Sequence, residues 1–362
     1  MKRVINFNAG PAALPLEVLE KAQSEMLDWR GTGMSVMEVS HRGKEYDEMH
    51  HHAMQSFKEI AGMDDSWKIL FCTGGASTQF AMLPMNFLTK DATADYISTG
   101  HWSKAAIKEA KHFGTVHLAA DTETDGVFTR IPEQHEIKLS EKPVYVHMTS
   151  NNTIFGTQWQ YWPDLFTAPV VCDMSSDIFS RPFPVEKFSM IYAGAQKNLG
   201  PSGVTVVAIK EEFLAKAQTN LPTMLAYKTY SDNDSLYNTP PCFSIYILDL
   251  TLDWIKKTGG LIAVEKINRE KQEILYNAID NSSGFYRCPV EKNSRSWMNV
   301  VFRLPSIELE EKFVKEAKNA GIIGVKGHRS VGGIRFSIYN ASTVQHVKDA
   351  VDFMEDFKNK NK

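Results

Sequence analysis

Residues 170–206 constrain the fold more than any other stretch. They open VVCDMSSDIFSRPF and close SMIYAGAQKNLGPSGVTVV. Two short apolar runs each end in a polar cluster: residues 168–172 run into Asp173, and residues 190–193 run into Gly194, Ala195, Gln196 and Lys197. Short apolar runs bounded by turn residues fit strands buried on both faces of a parallel sheet. In such sheets functional groups gather beyond the carboxyl ends of the strands. Neighbouring strands are therefore expected to deliver an Asp and a Lys to one crevice.

The rest of the chain repeats this texture. WKILFC (67–72) is a strand followed by the small-residue turn at 74–78 and an apolar helix over 79–88. ADYISTG, TVHLAA, PVYVHMT and VTVVAI are further strands, with a helix opening at His101-Trp102 and running to about Lys111. Repeated β/α alternation over roughly 200 residues predicts an α/β fold, a large doubly wound domain with a mainly parallel, mixed sheet. Residues 16–28 carry helical periodicity, as does an amphipathic helix from residue 44 to about Gly62. From about residue 285 the pattern becomes α+β: a strand over 295–305, a helix over 308–321, a hairpin over 322–340 and a last amphipathic helix whose tail, NKNK, reads as frayed. The expected division is 16–258 for the large domain, and 1–15 with 259–362 for a smaller α+β domain.

Bulk properties exclude several classes of function. The 362 residues carry a formal charge of −3, which leaves no electrostatic footprint for nucleic acid or anionic membrane. The longest apolar stretches are too short to span a bilayer. The N-terminus, MKRVINFNAGPAALP, lacks the apolar segment of a signal peptide. The four cysteines, Cys72, Cys172, Cys242 and Cys288, form no CxxC pair, which fits reduced thiols and a cytoplasmic setting. The run His50-His51-His52 invites a metal reading, but consecutive helical residues point about 100° apart and three cannot face one ion. It is read as a packed or solvated helix face, and no metal is expected.

Several features carry chemistry in combination. Strand, small-residue turn, then helix is the arrangement in which backbone amides hold a phosphate, and the 74–78 turn adds Ser77 and Thr78 hydroxyls. It matches neither GxGxxG nor GxxxxGK[ST]. Asn8 to Pro11 is another tight, non-repetitive patch whose amides can meet a ligand. Trp102 lies just past a strand end, where it either caps the core or stacks on a flat heterocycle. A lysine on a loop in an apolar crevice has its amine pKa lowered and becomes a nucleophile toward aldehydes. Pyridoxal 5'-phosphate needs a Schiff-base lysine, a carboxylate at its pyridinium nitrogen, a phosphate cradle and a stacking surface. Lys197, Asp173, the 74–78 turn and Trp102 supply the four. Taken singly, each has a plain structural use: such a lysine is usually a surface charge and such an Asp a helix cap. The conjunction points to the cofactor.

AGAQKNLGPSG, with VCDMSSDIFSRPF upstream, resembles the phosphoserine aminotransferases, a branch of the class V aminotransferases. NFNAGPAALP, SHRG, TGGASTQF, GHW, YNTPP and GHRSVGGIRFSIYN occur in the order that family shows, so the resemblance spans essentially the whole chain. It implies a fold-type I enzyme that transfers an amino group from L-glutamate to 3-phosphohydroxypyruvate in a ping-pong cycle, for serine biosynthesis. A four-carbon phospho-oxo acid of vitamin B6 synthesis, 3-hydroxy-2-oxo-4-phosphooxybutanoate, is a further expected substrate. By the same resemblance Lys197 is the Schiff-base lysine and the proton carrier, and Asp173 pairs with the pyridinium nitrogen. Trp102 stacks on the ring and Thr153 donates to its phenolic oxygen. Ala76, Ser77 and Gln196 bind the cofactor phosphate, and Asn238 and Thr239 reach that phosphate from the partner of a homodimer. His41, Arg42, His328 and Arg329 form the clamp for the substrate's phosphate or side-chain carboxylate, and Arg335 anchors the α-carboxylate.

Arginines suit this task because a planar guanidinium holds a carboxylate in two-pronged fashion, and a mixed His/Arg cluster accepts either a carboxylate or a phosphate. Some members of the family carry Gly-Arg where this chain has Ala76-Ser77. That shifts more of the phosphate-binding task to His41, Arg42, His328 and Arg329, and bears on the substrate's pose rather than on the reaction. Among alternatives, a desulfurase needs a cysteine on a mobile glycine-rich loop, which none of the four cysteines occupies. An alanine–glyoxylate type transaminase and a non-catalytic phospho-ligand binder are the other readings, and the intact Lys197–Asp173 pair opposes the last.

Overall fold

A computed structural model describes residues 3–165 and 168–361. Met1 and Lys2 of the extended N-terminal reading, and Lys362 of the expected frayed tail, lie outside the described residues.

A seven-stranded sheet forms the centre, in the order Trp67–Cys72, Thr205–Lys210, Met190–Gly194, Val170–Asp173, Val146–Thr149, Thr93–Ser98, Thr115–Asp121. Thr205–Lys210 runs antiparallel to both neighbours, and the other pairings are parallel. The sheet is therefore mixed but mainly parallel, as expected. Its strands Val170–Asp173, Met190–Gly194 and Thr205–Lys210 read as largely apolar runs because both faces are covered there. Ile69, Phe71 and Cys172 point into one core, which also holds Tyr46 and Phe57. Leu70, Cys72 and Val171 point into the other, with Phe80, Tyr96 and Tyr192. A third core gathers Phe7 with Leu275, Phe302, Phe313, Phe336 and Met354.

The helix Lys44–Ala61 carries Glu45 and Asp47 in its first turn and Lys58 in its last, matching the helix dipole, and stops at Gly62 with φ 69°. Its three histidines diverge as helical geometry requires. His50 Nε2 donates to the Asp234 carbonyl at 2.7 Å, His51 Nδ1 lies 2.9 Å from the Asp47 carbonyl, and His52 Nδ1 lies 2.6 Å from Asp249 Oδ1. No helix among the described residues is long and apolar enough to cross a membrane.

Four local expectations change. The first helix, Leu16–Ser24, stops short of residue 28. Trp29 turns inward there to meet Tyr246 edge-on, and Asp28 Oδ1 accepts the Gly33 N–H at 2.7 Å. The helix expected over 79–88 begins earlier, as Gly75–Phe87, so Ala76 and Ser77 sit in its first turn rather than in a preceding loop. Residues 322–340 do not form a simple hairpin. Ile322–Ile323 pairs in parallel with Ile5–Asn6, and Ile334–Ser337 pairs with Asn299–Phe302, leaving one bridge, Lys326 to Ile334, between the two arms. Each arm pairs over more residues with a distant strand than with the other arm. The last helix, Val344–Asn361, stays helical well into the tail expected to fray, since Phe357 is buried in the third core and Asn361 bonds back to its carbonyl at 2.7 Å.

Candidate active site

The parallel register sets Asp173 opposite Tyr192, so the Val170–Asp173 and Met190–Gly194 strands finish along the same edge of the sheet. Lys197 follows the second strand by three residues. Its Nζ donates to Thr153 Oγ1 at 2.8 Å. Thr153 lies in the turn between the short paired strands Asn151–Asn152 and Thr157–Gln158, which follow the Val146–Thr149 strand. Three strand ends thus bring Asp173, Lys197 and Thr153 together.

Burial pulls the Lys197 amine down to about 8, Asp173 opposes that shift, and the nearby Arg335 adds to it. Asp173 is itself 4% exposed. Burial raises its carboxyl, while the Ser175 N–H, donating to Oδ1 at 2.9 Å, and the charge of Lys197 act the other way. A second buried carboxylate lies behind it: Asp177 accepts from the Ser150 hydroxyl and, at 3.0 Å, from Gln158 Nε2.

The cradle rests on glycine. Gly74 has φ 85°, and a Cβ there would lie 1.9 Å from Thr78 Oγ1. The residue therefore has to be glycine for the chain to turn into the Gly75–Phe87 helix, whose first-turn amides carry no side-chain cap. Gln196 folds over Gly194, where a Cβ would lie 2.6 Å from its Oε1. The N-terminal turn is laid directly on this loop: the Ala12 N–H donates to the Gln196 carbonyl at 2.9 Å.

Trp102 enters from the His101–Ala110 helix. Ser103 Oγ accepts the Thr99 and Gly100 N–H groups, both at 3.0 Å, which fixes the helix start. Trp102 tilts against Phe80 at 6.4 Å. Arg335 lies on the Ile334–Ser337 strand, 9% exposed, and its Nη1 donates to the Thr153 carbonyl at 3.2 Å. These groups line one cleft of about 360 Å³.

Among the described residues, three buried polar atoms along the cleft have no partner: Trp102 Nε1, Thr149 Oγ1 and Arg335 Nε. Leaving such a group unpaired costs about 1–3 kcal/mol, so their convergence marks a place shaped for a polar ligand.

Of the residues singled out from sequence, Ala76, Ser77, Trp102, Thr153, Asp173, Gln196, Lys197, His328 and Arg335 line this cleft. His41, Arg42, Asn238, Thr239 and Arg329 are not among its lining residues in the single chain. Arg42, Asn238, Thr239 and Arg329 are exposed, and His41 Nε2 is buried without a partner. The structure adds Gly10, Thr149, Asn151, Ser175 and Ser176 to the lining. Gly10 carried a signal in its turn composition, whereas Thr149 and the two serines are ordinary strand-end residues. Asn151 ties the cleft to the third core's strands, donating at 2.8 Å both to Ser176 Oγ and to Asn299 Oδ1.

The aminotransferase class-V family matches residues 4–349. The chain is 55% identical over 354 residues to a phosphoserine aminotransferase of Herpetosiphon aurantiacus, covering 98% of each. It superposes on the crystal structure of phosphoserine aminotransferase from Bacillus circulans subsp. alkalophilus with a TM-score of 0.98 at 52% identity, covering 100% of both chains. A phosphoserine aminotransferase from Trichomonas vaginalis, solved with bound PLP, gives a TM-score of 0.93 at 38% identity, covering 98% of this chain and 100% of that one.

Proposed function

The chain belongs to the class V aminotransferases, and on that premise we propose that it is a pyridoxal-phosphate-dependent transaminase that converts L-glutamate and 3-phosphohydroxypyruvate to 2-oxoglutarate and O-phospho-L-serine. Full-length similarity to several phosphoserine aminotransferases supports this reaction. The observation that carries it in this chain is the Lys197 amine, pulled down to about 8 and held by Thr153 in the cleft it shares with Asp173 and Arg335.

The cleft fits the cofactor on its own chemistry. It offers a nucleophilic amine, a buried carboxylate, an uncapped helix start behind a glycine that tolerates no Cβ, and an indole with an unpaired N–H. Lys197 would hold the cofactor, Asp173 would sit at its ring nitrogen, Ala76, Ser77 and Gln196 at its phosphate, and Trp102 and Thr153 at its ring. When bound, the cofactor supplies an electron sink for the negative charge left by loss of the substrate's α-proton.

The chain's own residues do the rest. Arg335 holds the α-carboxylate, and its fixed fork sets which Cα bond is presented. Lys197 Nζ removes the α-proton and later returns one, for which a pKa near neutrality is suited. Burial of Asp173 keeps its carboxylate out of water, so its charge acts strongly on the neighbouring ring position. His328, with His41, Arg42 and Arg329, serves the far anionic end of the substrate. The related four-carbon phospho-oxo acid presents the same two ends and is a proposed second substrate.

Assembly as a homodimer completes this reading. Asn238 and Thr239 lie in an exposed loop beside Tyr237, 52% exposed, and Leu27 and Met37 are 86% and 57% exposed. Such apolar exposure supports a covering subunit, whose loop would bring Asn238 and Thr239 to the cofactor phosphate. We read residues 16–258 as the cofactor-bearing domain, and 1–15 with 259–362 as the smaller one, which the separate core around Phe7 and Phe336 supports. Four free cysteines support a cytoplasmic setting.

The test is spectral. Glutamate should bleach the cofactor's visible band and phosphohydroxypyruvate should restore it, with turnover in Lys197→Ala lowered by about 10³-fold or more. Full turnover in that variant would sink the assignment.

A further inference from the structure

The sequence GHW places a histidine, His101, immediately before the indole of the cleft, and the reaction as described gives that histidine no task. Its ring stands edge-on to Trp102, with centroids 5.0 Å apart and planes at 86°. It also faces His328 at 6.1 Å. His101 is exposed, and its side chain makes no hydrogen bond or ion pair among the described residues. The Trp102 contact orients the imidazole while leaving both nitrogens free.

The surroundings are one-sided in charge. The groups that act electrostatically on His328 are Arg335, His101 and Arg329, with no carboxylate among them. His328 Nδ1 accepts the Ser330 N–H at 3.3 Å and lies 2.7 Å from the Ser330 hydroxyl, so its proton sits on Nε2, which is left to donate elsewhere. Two imidazoles and two guanidiniums without a matching carboxylate form a place for a multiply charged anion. The cradle at 74–78 has no cation of its own. Arg335 is tied to the Thr153 carbonyl beside Lys197, at the reacting end of the cleft. The second anionic end of a substrate therefore falls to the His328 side, where His101 is the additional donor.

We infer that His101 is a ligand of the substrate's phosphate and biases the site toward a phosphorylated 2-oxo acid over a carboxylate-ended one. A phosphate presents three terminal acceptor oxygens where a carboxylate presents two, so one added N–H donor serves the phosphorylated acid better than the carboxylate-ended one. Both substrates share the Arg335 end, and the difference between them lies at the end lined by His328, against which His101 stands just outside the cleft lining. The inference rests on the transamination reading and names one residue behind its choice of substrate.

The experiment measures the two half-reactions separately on the holoenzyme, following the cofactor's visible band. Wild type, His101→Ala and His101→Lys are each titrated with glutamate, with phosphohydroxypyruvate and with unphosphorylated hydroxypyruvate. His101→Ala should weaken phosphohydroxypyruvate by about tenfold, glutamate by less than about threefold, and hydroxypyruvate hardly at all. His101→Lys, which keeps an N–H donor, should recover most of the loss. Equal losses for all three ligands, or none, would overturn the inference, as would a lysine variant no better than alanine. A wild-type band that responds to neither glutamate nor phosphohydroxypyruvate would instead refute the reaction, so the two failures read differently.

Discussion

Lys197 Nζ and Thr153 Oγ1 stand 2.8 Å apart, and the carbonyl of that same threonine accepts from Arg335. One residue therefore ties the reacting amine to the guanidinium that would hold the substrate. The two cations are kept at a set separation through a neutral group, and the charge of Arg335 contributes to the lowered amine pKa.

The amine should announce its pKa in the apoprotein. Its neutral, nucleophilic form dominates above about 8, whereas an ordinary lysine needs a pH above 10.5. The rate of reconstitution with pyridoxal phosphate should rise with pH to about 8 and then level off, as read by stopped-flow absorbance. A rate still climbing past pH 9 would mean that the amine is not held as described.

Asp173→Asn should separate chemistry from folding. The buried carboxylate is raised by its surroundings, so neutralising it should leave thermal stability unchanged or higher. Turnover should fall by about 10²–10³-fold if Asp173 holds the place proposed for it at the cofactor's ring nitrogen, because that anion is gone. Thermal melts and steady-state rates on one preparation check both halves.

Arg335→Lys retains the charge but not the fork. The Nη1 bond to the Thr153 carbonyl anchors the guanidinium at the cleft. Replacing it should raise KM for both glutamate and the oxo acid by about 30-fold, with kcat changed by less than about threefold. A change confined to one substrate would contradict a shared anchor.

Lys271 is 0% exposed and lies outside the cleft. Its Nζ donates to the carbonyls of Ile338, Tyr339 and Ser342 at 3.0, 2.8 and 2.9 Å. Lys271→Met should strand those acceptors and lower stability by about 2–4 kcal/mol in urea unfolding. The damaged turn directly follows the strand that bears Arg335, so KM should rise as well.

The strand ends were legible because both faces of the sheet are apolar, so polar residues in those segments could only mark where a strand stops. That placed Asp173 and Lys197 correctly from pattern alone. Arg335 was not legible in that way. Its partner Thr153 is 182 residues distant, and local pattern holds no record of such a contact; only the motif around it pointed to a role. Residues 322–340 misled for a related reason. Two apolar segments around a glycine-rich turn look like a hairpin, yet each found its main partner elsewhere, in Ile5–Asn6 and Asn299–Phe302. Thr149, Ser175 and Ser176 gave no signal, since small polar residues at strand ends are common and their value here lies in facing a shared space.

The pairing of Ile5 with Ile322 has a consequence for how the protein comes off the ribosome. The central sheet needs nothing beyond Lys210 and can close while the C-terminal third is still being made. The first strand has to wait for almost the whole chain before it gains its neighbour. His328 and Arg335, which line the cleft with Lys197, arrive there only then. Until synthesis is nearly finished, a nascent chain can own the sheet and the reactive lysine yet lack the residues that would direct a substrate to it.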